Sequence, residues 1–274
     1  MRLGVSSSLG KENAKDWAKT MYDLGCKSVV FPLNADASKE EIAEYVKEAK
    51  NNDLQIAEVG IWRNALSPHE AERKANLEYS IRQLALADEI GARCCVNVAG
   101  STGARWDGGY KENFSKEHKK KTIKMIQTII DEVQPKNTYF TIEPMPWMIP
   151  TGPKEYLNLI EEVGRDRFAV HMDIINMICK PKRFFYPEDF LDKTFDMIGD
   201  KIKSCHIKDI RLLEGFTFQL QECACGEGVF PLERYAELAN KCDKDMPMII
   251  EHLHSDLDYV KSVGYVKNRL SKWL

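Results

Sequence analysis

The sequence predicts one α/β domain spanning residues 1–274 and folded as a single (β/α)8 barrel. Short β-branched runs alternate with longer amphipathic, charge-flanked segments, with no break in composition from one end to the other. Eight strand runs can be marked out, and 274 residues suit a barrel of about 250 residues. No G-x-G-x-x-G follows the first strand run and no G-x-x-x-x-G-K-[ST] occurs, which leaves a doubly wound open sheet as the weaker alternative.

The strand runs, in order, are RLGVSSS (2–8), KSVVFPLN (27–34), LQIAEVGIW (54–62), RCCVNVAGS (93–101), TYFTIEPMP (138–146), FAVHMDIIN (168–176), IKSCHIKDI (202–210) and PMIIEHL (247–253). Between them lie helical patterns: AKDWAKTMYDLG, SKEEIAEYVKEAK, HEAERKANLEYSIRQLALADEIG, TIKMIQTIIDEVQP, GPKEYLNLIEEVG, PEDFLDKTFDMIGD, PLERYAELANKC and LDYVKSVGYVKNRL. Ser38 with Glu41 reads as a capping box, and Gly25, Gly91 and Gly164 stand where helices should stop.

Composition narrows the function classes. A hydrophobic fraction of 43% and a charged fraction of 30% are those of a soluble globular protein, and no apolar run could span a bilayer. The N-terminal stretch lacks an apolar core of signal-peptide length, so a cytoplasmic location and no membrane partner are expected. The eight cysteines are scattered, and Cys223 and Cys225 form C-x-C without a second pair at zinc-ribbon spacing, so free thiols are expected. A net charge of -3 with no basic block argues against a nucleic-acid partner. A small molecule is the expected ligand; a homo-oligomer stays open.

Ionisable residues late in the strand runs carry the chemistry, because barrel active sites form at the C-terminal ends of strands. TYFTIE ends in Glu143, FAVHMD in Asp173, IKSCH in His206 and PMIIE in Glu251. Three carboxylates converging with one imidazole are costly to bury unless a cation compensates them. Oxygen and nitrogen donors without thiolate suit a divalent ion, Mn²⁺ first and Mg²⁺, Co²⁺ or Zn²⁺ as alternatives, with coordination positions left open. His171 precedes Asp173 by two residues and so shares its face, one layer deeper, as a group behind the ligand or beside the substrate.

With these residues in place the chain resembles the sugar phosphate isomerase/epimerase family, the xylose isomerase-like TIM barrels that include ketose 3-epimerases and inosose dehydratases. Glu143 in IEPMP, Asp173 in HMDIIN, His206 in CHIKDIR and Glu251 in IEHL carry the likeness, which extends over the whole chain. It implies metal-dependent isomerisation or epimerisation of a keto-sugar or related polyol through an enediolate, with Glu143 and Glu251 as the acid/base pair. It leaves open a lyase or dehydratase acting on a keto-sugar, 3-keto-glycoside or inosose, with Lys208 as candidate acid. An endonuclease IV-like nuclease is the remote alternative, disfavoured by the acidic balance and by a fourth strand ending VAGS without a histidine. Against the ketose 3-epimerase pattern, Ile149 replaces a second glutamate, Asn176 replaces a substrate-contacting histidine, and Arg211 is offered as the substrate-binding arginine although its spacing is one residue short.

Around this core, Trp62, Trp106 and Trp147 fall at or beyond strand ends, where an indole can pack on a sugar ring. Glu58 and Asn97 are polar groups inside strands, expected to bond inward to substrate or to a metal ligand. His69 and His254 are expected to line the mouth, His118 to lie on a solvated helix face and His252 to pack behind the barrel. The CGEG segment, Cys225–Gly228, reads as a turn or a weak phosphate-site candidate.

Overall fold

Apolar strands bury both faces only when they pair in parallel under a layer of helices, and the computed structural model of the chain shows that arrangement. It describes residues 1–7 and 9–274; Ser8, the last residue of the first strand run, lies outside them. Eight strands pair in the order β1 (Arg2–Val5), β10 (Pro247–Ile250), β7 (Ile202–Ile207), β6 (Phe168–Met172), β5 (Phe140–Ile142), β4 (Cys94–Asn97), β3 (Gln55–Gly60) and β2 (Ser28–Val30). Between β1 and β2 the Lys27 N–H donates to the Leu3 carbonyl at 2.7 Å and the Ser28 hydroxyl to that of Arg2 at 2.8 Å, so the barrel is nearly closed. Gly4 allows this approach, since a Cβ there would stand 2.4 Å from the Ser28 oxygen.

The helices are α1 (Ala14–Leu24), α2 (Lys39–Asn51), α3 (Glu70–Ile90), α4 (Lys116–Val133), α5 (Pro153–Val163), α6 (Pro181–Phe185), α7 (Pro187–Ile198), α8 (Leu232–Cys242) and α9 (Asp256–Leu270). Ser38 and Glu41 form the reciprocal capping box at α2, and Gly25, Gly91 and Gly164 end α1, α3 and α5 in the left-handed conformation. Leu, Ile, Val and aromatic side chains of the helices pack on the outward faces of the strands, with Trp17, Phe140, Tyr156 and Tyr235 among the largest buried side chains. Burial of this kind contributes roughly 25 cal/mol per Å² of apolar surface. All eight cysteines are free, five of them buried. Among the described residues no helix is long and apolar enough to cross a membrane.

The structure corrects the sequence expectations at three places. The helix expected from Thr122 starts at Lys116, where the Ser115 hydroxyl accepts from the His118 N–H, and His118 is buried rather than solvated. The short α6 carried too little periodicity to be read. The run IKSCHIKDI is two strands: β7 stays in the barrel, whereas β8 (Asp209–Leu212) leaves it to pair antiparallel with β9 (Leu220–Cys223).

The break has a local cause. Asp209, 7% exposed, accepts backbone N–H bonds from Ile210 and Phe230 on one oxygen and from Gly226 and Gly228 on the other, at 2.8–3.0 Å. The CGEG backbone amides that could have held a phosphate are thus taken by a carboxylate of the chain itself, and a Cβ at Gly228 would meet that carboxylate at 2.2 Å. Asp209→Ala is expected to cost about 2–3 kcal/mol in chemical denaturation, because it leaves buried amides without a charged acceptor, and to open residues 224–230 to proteolysis. Unchanged stability together with an uncut loop would contradict this account.

Candidate metal centre

The pleat brings the proposed ligands together. Thr141 and Glu143, His171 and Asp173, and Ser204, His206 and Lys208 alternate with outward-facing apolar neighbours, so each set points toward the barrel axis. Glu143, Asp173 and Glu251 follow β5, β6 and β10 directly, and His206 lies near the end of β7. Backbone bonds hold two of the strand ends: the Glu143 N–H donates to the Asn97 carbonyl at 2.8 Å and the Glu251 N–H to that of Ile207 at 3.3 Å. His206 Nδ1 stands 2.8 Å from Glu251 Oε1, 3.7 Å from Glu143 Oε2 and 4.0 Å from Asp173 Oδ2. One ligand atom from each residue lies within 4.8 Å of the others, and all four residues are buried.

Lys208 meets two of the same carboxylates. Its Nζ is 2.7 Å from Asp173 Oδ2, 2.8 Å from Glu251 Oε1 and 3.3 Å from Glu222 Oε1. The electrostatics follow from crowding. Burial pushes Asp173 up to about 7; Lys208 pulls it down, while Glu143 and Glu251 add to the rise. Burial opposes charge on Lys208 and His206 as well, yet the surrounding carboxylates raise both well above their ordinary values. Glu251 is held well below the carboxylate range against burial, by His206 and then Lys208. Despite these close ion contacts, Asp173 Oδ2, His206 Nδ1 and Glu251 Oε1 have no hydrogen bond of acceptable geometry. Three convergent buried donor atoms left in that condition, with a hard donor set, fit a divalent cation.

A second cluster lies directly behind the first. Glu58, on β3, has Oε1 3.0 Å from His171 Nε2 and Oε2 3.3 Å from His206 Nε2, and the Ser204 hydroxyl also donates to Oε1. Burial would raise the Glu58 pKa, but His171 and then His206 outweigh it and hold the carboxyl well below its usual range. With Nε2–H given to Glu58, His206 turns its Nδ1 toward the three carboxylates, the arrangement by which metal-bound histidines are usually oriented. The inward bond expected of Glu58 therefore reaches a candidate ligand. His171, fully buried and edge-on to His206 at 4.1 Å between centroids, backs that ligand. The Tyr156 hydroxyl bonds the backbone of Ile142 and His171 and ties β5 to β6.

The other expected residues divide. Asn176 joins the centre: its N–H donates to Asp173 Oδ1 at 3.1 Å and its Nδ2 to Glu143 Oε1 at 2.9 Å, so it positions two carboxylates. Trp62 and His254 line a mouth cavity of about 470 Å³, with Lys11 and Asn34, over the ends of β1, β2, β3 and β10. Trp106 and Trp147 pack against Val98, Ala99 and Met148, and the Trp147 indole N–H donates to the Asp107 carbonyl at 2.6 Å. Trp106 and His69 line a separate hollow. Asn97 does not point inward; two residues on from the core residue Cys95, it shares that outward face and exchanges bonds with the Arg63 backbone. Arg211 sits on the exposed β8–β9 hairpin, bonded to Gln221, and the structure does not bring it to the cluster. Ile149 is buried.

Two residues near the centre escaped sequence reasoning. His252 faces the site rather than the back of the barrel, because its backbone takes a φ of 58° that breaks strand alternation. Its Nδ1 is 3.0 Å from Glu222 Oε2 and 3.1 Å from Lys208 Nζ, and its Nε2 is 3.7 Å from Glu251 Oε2. The bond to Glu222 raises its pKa. Glu222 arrives on β9, from a hairpin whose alternation was too short to be read.

Among curated proteins, sequence comparison finds no match. Solved structures do match over nearly the full chain. A 3-keto-D-glucoside 4-epimerase from E. coli superposes with a TM-score of 0.69 at 13% identity, covering 98% of this chain and 99% of its own. A probable 3-DHS dehydratase of petrobactin synthesis from Bacillus anthracis gives 0.70 at 16%, covering 92% of each chain. A xylose isomerase-like TIM barrel protein from Mycobacterium smegmatis, in complex with magnesium, gives 0.70 at 16%, covering 97% and 92%. At these identities the likeness establishes the fold. The family profile described as "Xylose isomerase-like TIM barrel" matches residues 18–269, and the chain belongs to that family.

Proposed function

We propose that the protein is a divalent-metal-dependent isomerase or epimerase of a keto-sugar or related polyol. The observation that carries this reading is the convergence of Glu143, Asp173, His206 and Glu251 at neighbouring strand ends, all four buried, with one donor atom each of Asp173, His206 and Glu251 lacking a hydrogen bond. Those four residues would hold the ion, Mn²⁺ being the preferred choice for this donor set. When bound, it supplies Lewis acidity that makes the hydrogen beside a carbonyl easier to remove.

The remaining work falls to the chain. Glu143 and Glu251 follow β5 and β10, which lie on either side of β7 in the sheet, and carry the proton off one face of the substrate carbon and back onto the other. Asn176 fixes the Glu143 carboxylate. His252 and Glu222, both partly exposed, connect Glu251 to solvent. The mouth cavity takes the end of the substrate remote from the reacting carbon, with the Trp62 indole as an apolar platform and Lys11, Asn34 and His254 as polar contacts.

A second reading is a lyase or dehydratase on a keto-sugar, 3-keto-glycoside or inosose. Lys208 favours it: a buried ammonium 2.7–2.8 Å from two carboxylates is placed to protonate a departing oxygen. Both readings remove the same proton and differ in what leaves.

Asp173→Asn and Glu143→Gln are each expected to weaken Mn²⁺ binding by at least ~10-fold, read as metal content after dialysis. Wild-type content in both would remove the site assignment. Because Asp173 is pushed up to about 7, protons compete with the ion, and Mn²⁺ affinity should fall as the pH drops through that value, with proton release on binding. Calorimetry between about pH 6 and pH 8 tests this, and a flat profile refutes it. Incubating ketoses and 3-keto-glycosides in D₂O separates the reactions: deuterium at an inverted carbon marks the epimerase, and loss of water or an aglycone marks the lyase. Lys208→Met should lower a lyase rate by roughly 10²–10⁴ with metal content unchanged, and an epimerase rate much less.

A further inference from the structure

A third hollow, unused by the proposed reaction, lies outside the barrel between the N-terminal halves of α3 and α4. It has a volume of about 1140 Å³ and is roofed by residues 65–68 and by the segment that precedes α4. Leu77 and Met125 give it an apolar floor.

Three of its lining residues carry buried polar atoms without a partner: both ring nitrogens of His118, Oγ1 of Thr102 and Oε2 of Glu112. His118 is 2% exposed. Burial, and then Lys121, lowers its pKa, which leaves a neutral ring with one N–H to donate and one lone pair to fill. The roof beside these atoms is otherwise well bonded. Asn113 accepts from the Thr102 N–H and donates to the Gly108 carbonyl, and Asn64 donates to the Ser101 carbonyl. The unmet groups therefore belong to a braced wall, where buried polar atoms are normally satisfied.

The chemistry of these atoms selects the ligand. Glu112 Oε2 and one nitrogen of His118 need donors, while the other His118 nitrogen and the Thr102 hydroxyl need acceptors. An ionised carboxylate has no hydrogen to donate to Glu112, whose other oxygen is paired with Lys111 at 3.2 Å, and an ammonium could not accept from His118; hydroxyl groups do both. At the rim, Lys74 and Lys124 are exposed and have no ion-pair partner among the described residues, whereas Lys121 pairs with Glu117. An acidic substituent on the same molecule would meet them.

We propose that the α3–α4 hollow is a second binding site, for an anionic carbohydrate: the wall side chains, whose polar atoms are covered in the unbound protein, turn toward the hollow so that hydroxyl groups satisfy His118, Thr102 and Glu112, and an acidic group meets Lys74 and Lys124. The site stands independently of any reaction at the barrel mouth.

The test titrates the full-length protein with glucose 6-phosphate, glucuronate and uncharged glucose, read by calorimetry and by the nitrogen resonances of His118. At least one charged probe should saturate, move those resonances, and bind about tenfold more tightly than glucose. Which of the two binds distinguishes phosphate from carboxylate. The affinity should be retained in Asp173→Asn and fall about tenfold in a Lys74→Ala, Lys124→Ala double variant, whose exposed positions leave the fold intact. His118→Phe should abolish binding. Failure of both charged probes to saturate, affinity unaffected by the lysine changes, or loss of binding in Asp173→Asn would each overturn the proposal. So would sedimentation evidence of a dimer whose dissociation is required before the probe binds.

Discussion

Every feature of the centre answers to one constraint: three carboxylates, on Glu143, Asp173 and Glu251, are buried within a few ångströms of one another at adjacent strand ends. Like charges in such a place either neutralise or acquire a cation. The chain supplies part of the answer itself. Lys208 reaches Asp173 and Glu251, His206 reaches all three carboxylates at up to 4.0 Å, and the charged forms of both cations are strengthened. What remains unmet is directional: three ligand atoms still lack a properly oriented hydrogen bond.

The barrel orients this cluster from behind as well as around it. Glu58 comes from a strand that is not adjacent to β7 in the sheet, yet it crosses the interior to His206, as only a closed architecture permits. The tetrapeptide HIKD gathers several of these roles. His206 offers Nδ1 to the cluster, Ile207 packs in the outer core, Lys208 enters the site, and Asp209 organises the loop that turns the chain into the β8–β9 hairpin. That hairpin brings Glu222 to Lys208 and His252, so the capture of one carboxylate by four backbone amides also shapes the mouth.

Much of this was legible in the sequence because two signals are local. Strand alternation and glycine or serine helix boundaries depend on neighbouring residues, so the eight barrel strands and caps such as Ser38, Gly25 and Gly164 could be read directly. The candidate ligands were readable for a related reason: in a parallel barrel, the last inward residue of each strand has only one place to go. Asn97 was misread because its polarity suggested an inward bond, whereas strand phase sends it toward the Arg63 backbone. His118 was misread because five charged neighbours masked the one helical position that turns inward.

By itself the sequence determined the repeating architecture, the free-thiol chemistry and the residues that could meet at the centre. Tertiary structure decided which of them do meet. Residues 252 and 222 approach Lys208 only through a left-handed backbone turn and a hairpin crossing, neither of which has a local periodic signature. Asn176 became a clamp on Glu143 and Asp173, and Arg211 was carried off on the hairpin. Distances across a barrel are set by closure of the sheet and by the packing of helices around it. These are properties of the whole chain, whereas the periodicity of a single strand or helix is written in a few consecutive residues.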